Sequence, residues 1–201
     1  MSIILACCAL ALVAQDGIRV NYKGANPTIS DFVTAFVTSS DNVDEEDCCA
    51  DEAFNAIGYV WEKYQKGIPL EEGQTLTLDE KNGFVLYESR SEYDSTENLV
   101  RMEMCYWNEN DGKHKLFAFN DMASFSQDGP LYSETSQLTF LRYDDSTRHM
   151  TYCDAPGFDV YDGNVTYSLP QTGKDIIVTR WNEDGSIVKT PLKWNGHKFI
   201  K

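Results

Sequence analysis

Apolar positions change period twice along this chain. From Ile3 to Val13 they are almost continuous, and they run into small residues just ahead of the polar Asp16-Gly17. That is the pattern of the apolar region and cleavage site of a secretory signal peptide, and it is too short to cross a bilayer as a helix. No lysine or arginine precedes it, which departs from the usual pattern. The reading is a signal peptide over residues 1–15 and a single exported domain over 16–201, with no stable membrane insertion.

The second period is helical. Ser30 is placed to cap a helix opening at Asp31, with Phe32, Val33, Phe36 and Val37 along one face. Phe54, Ile57, Trp61 and Tyr64 form a second stripe, with Asp51 and Glu52 at its start and Lys63 and Lys66 at its end, as the helix dipole favours. Gly67 and Pro69 close it. From Gln74 the period falls to two. Strand-like runs flank glycine turns at Asp79–Gly83 and Asn108–Gly112, and further hairpins join Leu138–Tyr143 to His149–Cys153 and Ile176–Trp181 to Ser186–Leu192. The predicted fold is α+β, with two N-terminal helices over about 30–67 packed on one large curved antiparallel meander of about 8 to 10 strands over about 74–200.

Composition narrows the partners. A formal net charge of -15 with no basic stripe repels nucleic acid and anionic lipid. It suits a cationic partner, and it also serves solubility. Cleavage leaves Cys48, Cys49, Cys105 and Cys153 as disulfide candidates with three pairings open, the adjacent pair being the least suited to bridge itself. Their spacing lacks the Cys-x-x-Cys of a zinc site, and no metal or cofactor is expected. The acidic stretch around Asp44–Asp47 lacks the order of a hand-type calcium loop.

Catalytic motifs are missing. His114, His149 and His197 belong to no metal or triad signature, and there is no nucleophile elbow, phosphate loop or dinucleotide fingerprint. Leu169-Pro-Gln-Thr-Gly173 spells a sortase signal without the apolar span and basic tail that make one, and Asn164-Val-Thr166 fits the acceptor pattern for glycosylation. Aromatics at strand ends are the remaining handle: Trp107, Tyr143, Trp181 and Trp194 are candidate binding residues for a sugar or a protein. Three of them recur as an aromatic followed by Asn or Asp, at Trp107-Asn108, Tyr143-Asp144 and Trp181-Asn182, which reads as repeated hairpin chemistry, with duplication as the alternative.

The segments Gly17-Ile-Arg-Val-Asn-Tyr-Lys-Gly-Ala-Asn-Pro-Thr28, Met104-Cys-Tyr-Trp-Asn-Glu109, Asp111-Gly-Lys-His-Lys-Leu-Phe117, Cys153-Asp-Ala-Pro-Gly-Phe-Asp159 and Leu192-Lys-Trp-Asn-Gly196 resemble an uncharacterised family of exported proteins from Bacteroides-type gut bacteria. The resemblance implies a periplasmic or secreted location and brings no activity or cofactor with it. The expectation is a monomeric, non-catalytic module that binds a protein or a glycan. Its rivals are a glycan-directed hydrolase using two carboxylates, and a small exported inhibitor or envelope-stress protein that grips a cationic enzyme.

Overall fold

The computed structural model describes residues 17–39, 48–93, 96–127, 132–160, 165–182 and 184–201, with backbone alone for 48–55, 93, 96, 125–127 and 132–135. The signal-like segment, the acidic residues 41–47 and Asn164 lie outside the described residues. Helix α1 spans Ile29–Val37 and α2 spans Cys48–Gln65. The strands are β1 (Ile18–Arg19), β2 (Gln74–Asp79), β3 (Phe84–Tyr93), β4 (Thr96–Asn108), β5 (His114–Gln127), β6 (Tyr132–Asp144), β7 (His149–Cys153), β8 (Val165–Ser168), β9 (Ile176–Trp181), β10 (Ile187–Trp194) and β11 (Phe199–Ile200).

Helix α1 opens at Ile29, two residues before the predicted start at Asp31. Extended Thr28 is the cap, and Asp31 reaches back to accept from the Thr28 backbone N–H at 2.8 Å, so Ile29 joins the helix and is fully buried. Helix α2 stops where expected: Gly67 adopts φ 65°, and the Ile68 N–H returns to the Lys63 carbonyl. The two helices are tied by the Trp61 indole N–H, which donates to Thr34 Oγ1 at 2.9 Å.

Antiparallel sheet dominates, but it divides. Seven strands in the order β1-β7-β6-β5-β4-β3-β2 form a curled half-barrel, and β11-β10-β9-β8 form a second sheet of four. Helix α1 packs on one face of the large sheet, where Phe32 meets Tyr106 and Tyr143 at 5.2 Å and Phe36 meets Phe119 at 5.2 Å. The small sheet covers the other face, bringing Tyr167, Leu169, Ile176, Leu192, Trp194 and Phe199 onto Phe84, Cys105, Trp107 and Phe140. The layers are therefore helix, sheet, sheet. Strand β4 has apolar side chains on both faces, Met102 and Met104 toward the helices and Cys105 and Trp107 toward the small sheet.

A buried polar network fastens the two sheets. Glu103, 2% exposed, accepts from the Leu169 N–H at 2.8 Å and from Arg101 at 2.8 Å, and beside it the Asn120 amide donates to the Tyr167 carbonyl at 2.9 Å. Ser136 Oγ donates to Asn120 Oδ1 at 3.0 Å. The closing end of the core is sewn by backbone: the Phe199 N–H bonds the Pro156 carbonyl at 2.8 Å. Gly157, at φ 94°, makes that approach fit, since a Cβ there would sit 2.4 Å from the Phe199 carbonyl oxygen. Gly157→Ala is expected to destabilise the domain by about 2–4 kcal/mol, from the left-handed backbone and the clash together. Urea unfolding against Gly112→Ala, where a Cβ meets nothing within 4 Å, separates the clash from the backbone contribution.

Candidate functional site

The register places the cysteines. Cys105, Ala118, Phe140 and Cys153 are successive partners across β4, β5, β6 and β7, so the two cysteines stand three strand spacings apart, about 14 Å. A bridge needs Cα atoms within about 7 Å. Both are free thiols, and among the described residues there is no disulfide, which removes the pairing that joins Cys105 to Cys153. The Cys48 and Cys49 side chains lie outside the described residues. Burial pushes the Cys153 thiol up to about 11 and raises the Cys105 thiol as well, which disfavours the thiolate at both.

The strand-end aromatics are mostly core. Trp107 and Trp194 lie 6.1 Å apart beneath the small sheet, their indole N–H groups donating to the carbonyls of Lys174 and Asn108. Tyr143 is fully buried on the opposite face against Phe32. The repeated aromatic-Asn/Asp ending therefore puts Trp107 and Tyr143 on opposite faces of the large sheet. Trp181 is half-buried at the end of β9. These rings were expected at open strand ends; the second sheet covers that end of β4.

One ionic cluster stands at the β4–β5 turn. Arg142 grips Glu109 with two parallel bonds of 2.7 and 2.6 Å, and His114 sits between Asp111 at 2.5 Å and Asp144 at 3.9 Å. Bonds from the Lys113 N–H and from His114 hold the Asp111 carboxyl well below the usual range. Donor atoms of Glu109, Asp111 and His114 come within 4.8 Å of one another, as a metal would need. Arg142 already supplies the cation, since a metal would have to displace a bidentate guanidinium from buried Glu109.

A groove lies at a notch in the large sheet. Strand β7 ends at Cys153, opposite Phe140, while β6 continues back to Tyr132. A cavity of about 460 Å³ fills the step, lined by Leu138, Thr139, Phe140, Tyr152, Cys153 and the loop residues Asp154, Ala155, Phe158, Asp159 and Val160. This volume is of the size that takes a side chain or a small ligand. Among the described residues its charged groups are two exposed carboxylates, Asp154 and Asp159, with no lysine or arginine in the lining. Neither acid pairs with a cation among the described residues. Tyr152, about half exposed, supplies a ring, and Phe158 is held edge-on by Phe140 at 6.0 Å and Phe199 at 5.7 Å. Phe158 also walls a second cavity of about 230 Å³, lined further by Tyr167, Val178, Arg180, Thr190, Leu192 and Lys201.

In the sequence, residues Asp154 to Asp159 stand out only within the resemblance. Their chemistry depends on a strand ending early, which composition does not announce. Comparison with family models, curated proteins and solved structures finds no match.

Among the described residues, two carboxyls are pushed up by burial, Glu103 and Asp121, and neither lines the groove. Asp121 rises from an ordinary 3.8 to about 6. The native state then binds this proton more tightly than the unfolded chain, so the contribution is fully present below about pH 4 and lost as pH rises through about 6. Asp121→Asn should leave stability unchanged near pH 4 and raise it by up to about 3 kcal/mol above pH 7, measured by urea unfolding at both values.

Proposed function

We propose that the protein is an exported, non-catalytic binding module that receives a cationic group of its partner in the groove beside β7. The observation that carries the reading is the groove's lining: two carboxylates that pair with no cation among the described residues, set among Tyr152 and Phe158, in a chain of net charge -15. A lysine or arginine head would meet Asp154 and Asp159 while its stem lies along Phe158. The field of the whole molecule would speed the approach of a basic partner and weaken with salt. Export rests on the signal-like segment.

Binding is favoured over hydrolysis by the placement of acids. Two-carboxylate hydrolysis needs one carboxyl held protonated beside the scissile bond. Burial raises Glu103, whose carboxylate is committed to Leu169 and Arg101, and Asp121, which pairs with Gln137 but lies on the opposite face of the sheet from Asn120 and Leu138.

The test is calorimetric titration with an end-capped lysine oligomer at low and at physiological ionic strength. Binding is expected at low salt, weakened at least about tenfold by the Asp154→Asn/Asp159→Asn double variant with an unchanged melting midpoint. Equal binding by wild type and variant would overturn the assignment to this groove.

A further inference from the structure

The notch is also a gap in the hydrogen-bond ladder. Strand β6 has thirteen residues and β7 has five, and β6 pairs with β7 only from Phe140 to Asp144. On that side no strand pairs with Ser136, Gln137, Leu138 or Thr139 among the described residues, although β5 pairs all four on the other side. An edge strand with free N–H and C=O groups is a template for another extended chain. Two residues of this stretch, Leu138 and Thr139, also line the groove, so the edge that no described strand pairs with and the two carboxylates border one cavity.

We infer that the partner presents an extended, lysine- or arginine-rich peptide segment that adds to the large sheet as a strand beside β6, antiparallel to it and in line with β7. This rests on the cationic-groove reading and specifies how the partner is held. Four residues at about 3.3 Å each fill the stretch from Ser136 to Thr139. In an added strand the side chains alternate between faces, so basic residues at every second position share the face of Phe140, Cys153 and Phe158, where the groove lies. Backbone pairing supplies affinity without regard to sequence; Asp154 and Asp159 supply the preference for positive charge. A second copy of this chain is a poor occupant, because it would bring another net charge of -15 against the same acidic edge.

The probe is an end-capped hexapeptide alternating lysine with threonine, compared with two forms of it, one N-methylated at every lysine and the other at every threonine. In an added strand all N–H groups of one residue type point at β6 and all of the other type point to solvent, so one form should lose at least about tenfold in affinity and the other should bind like the parent. Amide exchange at Ser136–Thr139 should slow when the parent binds. Strand addition is overturned, with the cationic groove left standing, if both methylated forms bind equally, or if acetyl-lysine methylamide matches the hexapeptide, while Asp154→Asn/Asp159→Asn still abolishes binding. Absence of hexapeptide binding at low salt overturns both readings. Dimerisation of the protein alone that protects the same four amides makes a second copy the occupant and overturns the proposal.

Discussion

The attachment of the small sheet to the large one governs what the rest of the molecule can be. It is made by few groups: Glu103 and Asn120, adjacent across β4 and β5, bond the backbone of Leu169 and Tyr167. Around them the contact is apolar, with Phe140, Trp107, Trp194 and Phe199 in mutual ring contact. Apolar contact supplies most of the free energy and is indifferent to small slides of one sheet over the other. A charged hydrogen bond from Glu103 to one particular backbone N–H is not indifferent. It fixes the register of the two sheets, because any slip leaves a buried carboxylate without its donor. Burial raises the Glu103 carboxyl, while bonds from Leu169, Arg101 and Asn120 oppose that shift. The same three donors offset the desolvation of the ionised form.

Charge is distributed with the same logic. Carboxylates that structure depends on have partners: Glu103 has Arg101, Glu109 has Arg142, and Asp111 has His114 and its own turn. The acids of the groove rim, Asp154 and Asp159, have none among the described cations. A net charge of -15 makes unneutralised acids common on this surface, so abundance alone means little. What distinguishes these two is their position beside an aromatic wall and a strand edge without a neighbour.

The hairpins were legible because their turns are chemical: glycine after Asn or Asp permits the positive φ that Gly83, Gly112 and Gly185 adopt. The partition into two sheets was not. Pairing within a hairpin is local, whereas the placement of β8 over Asn120 is a contact 47 residues apart in sequence, and no turn encodes it. Burial of the strand-end rings follows from that unseen layer, since Trp107 would be open without Phe199 and Trp194 over it. One clue was present. Met102-Glu103-Met104 sets a lone charge inside an apolar run, the mark of a carboxylate with a specific buried partner. The groove left less trace, because an edge becomes a site through where its neighbour stops.

That stop has a cause in the core. Beyond Cys153 the chain turns out of the large sheet, and Pro156-Gly157 is drawn to β11, where the Phe199 N–H takes the Pro156 carbonyl. Phe158 then drops among Phe140, Tyr167 and Phe199, as a large ring should. Extending β7 by four residues would complete the ladder along β6 and would pull Phe158 out of that cluster. The fold thus trades backbone pairing at Ser136–Thr139 for ring packing at Phe158, and the exposed edge is a consequence of closing the core. An open edge invites association with any extended chain unless something discriminates. In this molecule the discriminator is the field of the acids around it, which opposes a second copy of the same chain and favours a basic one.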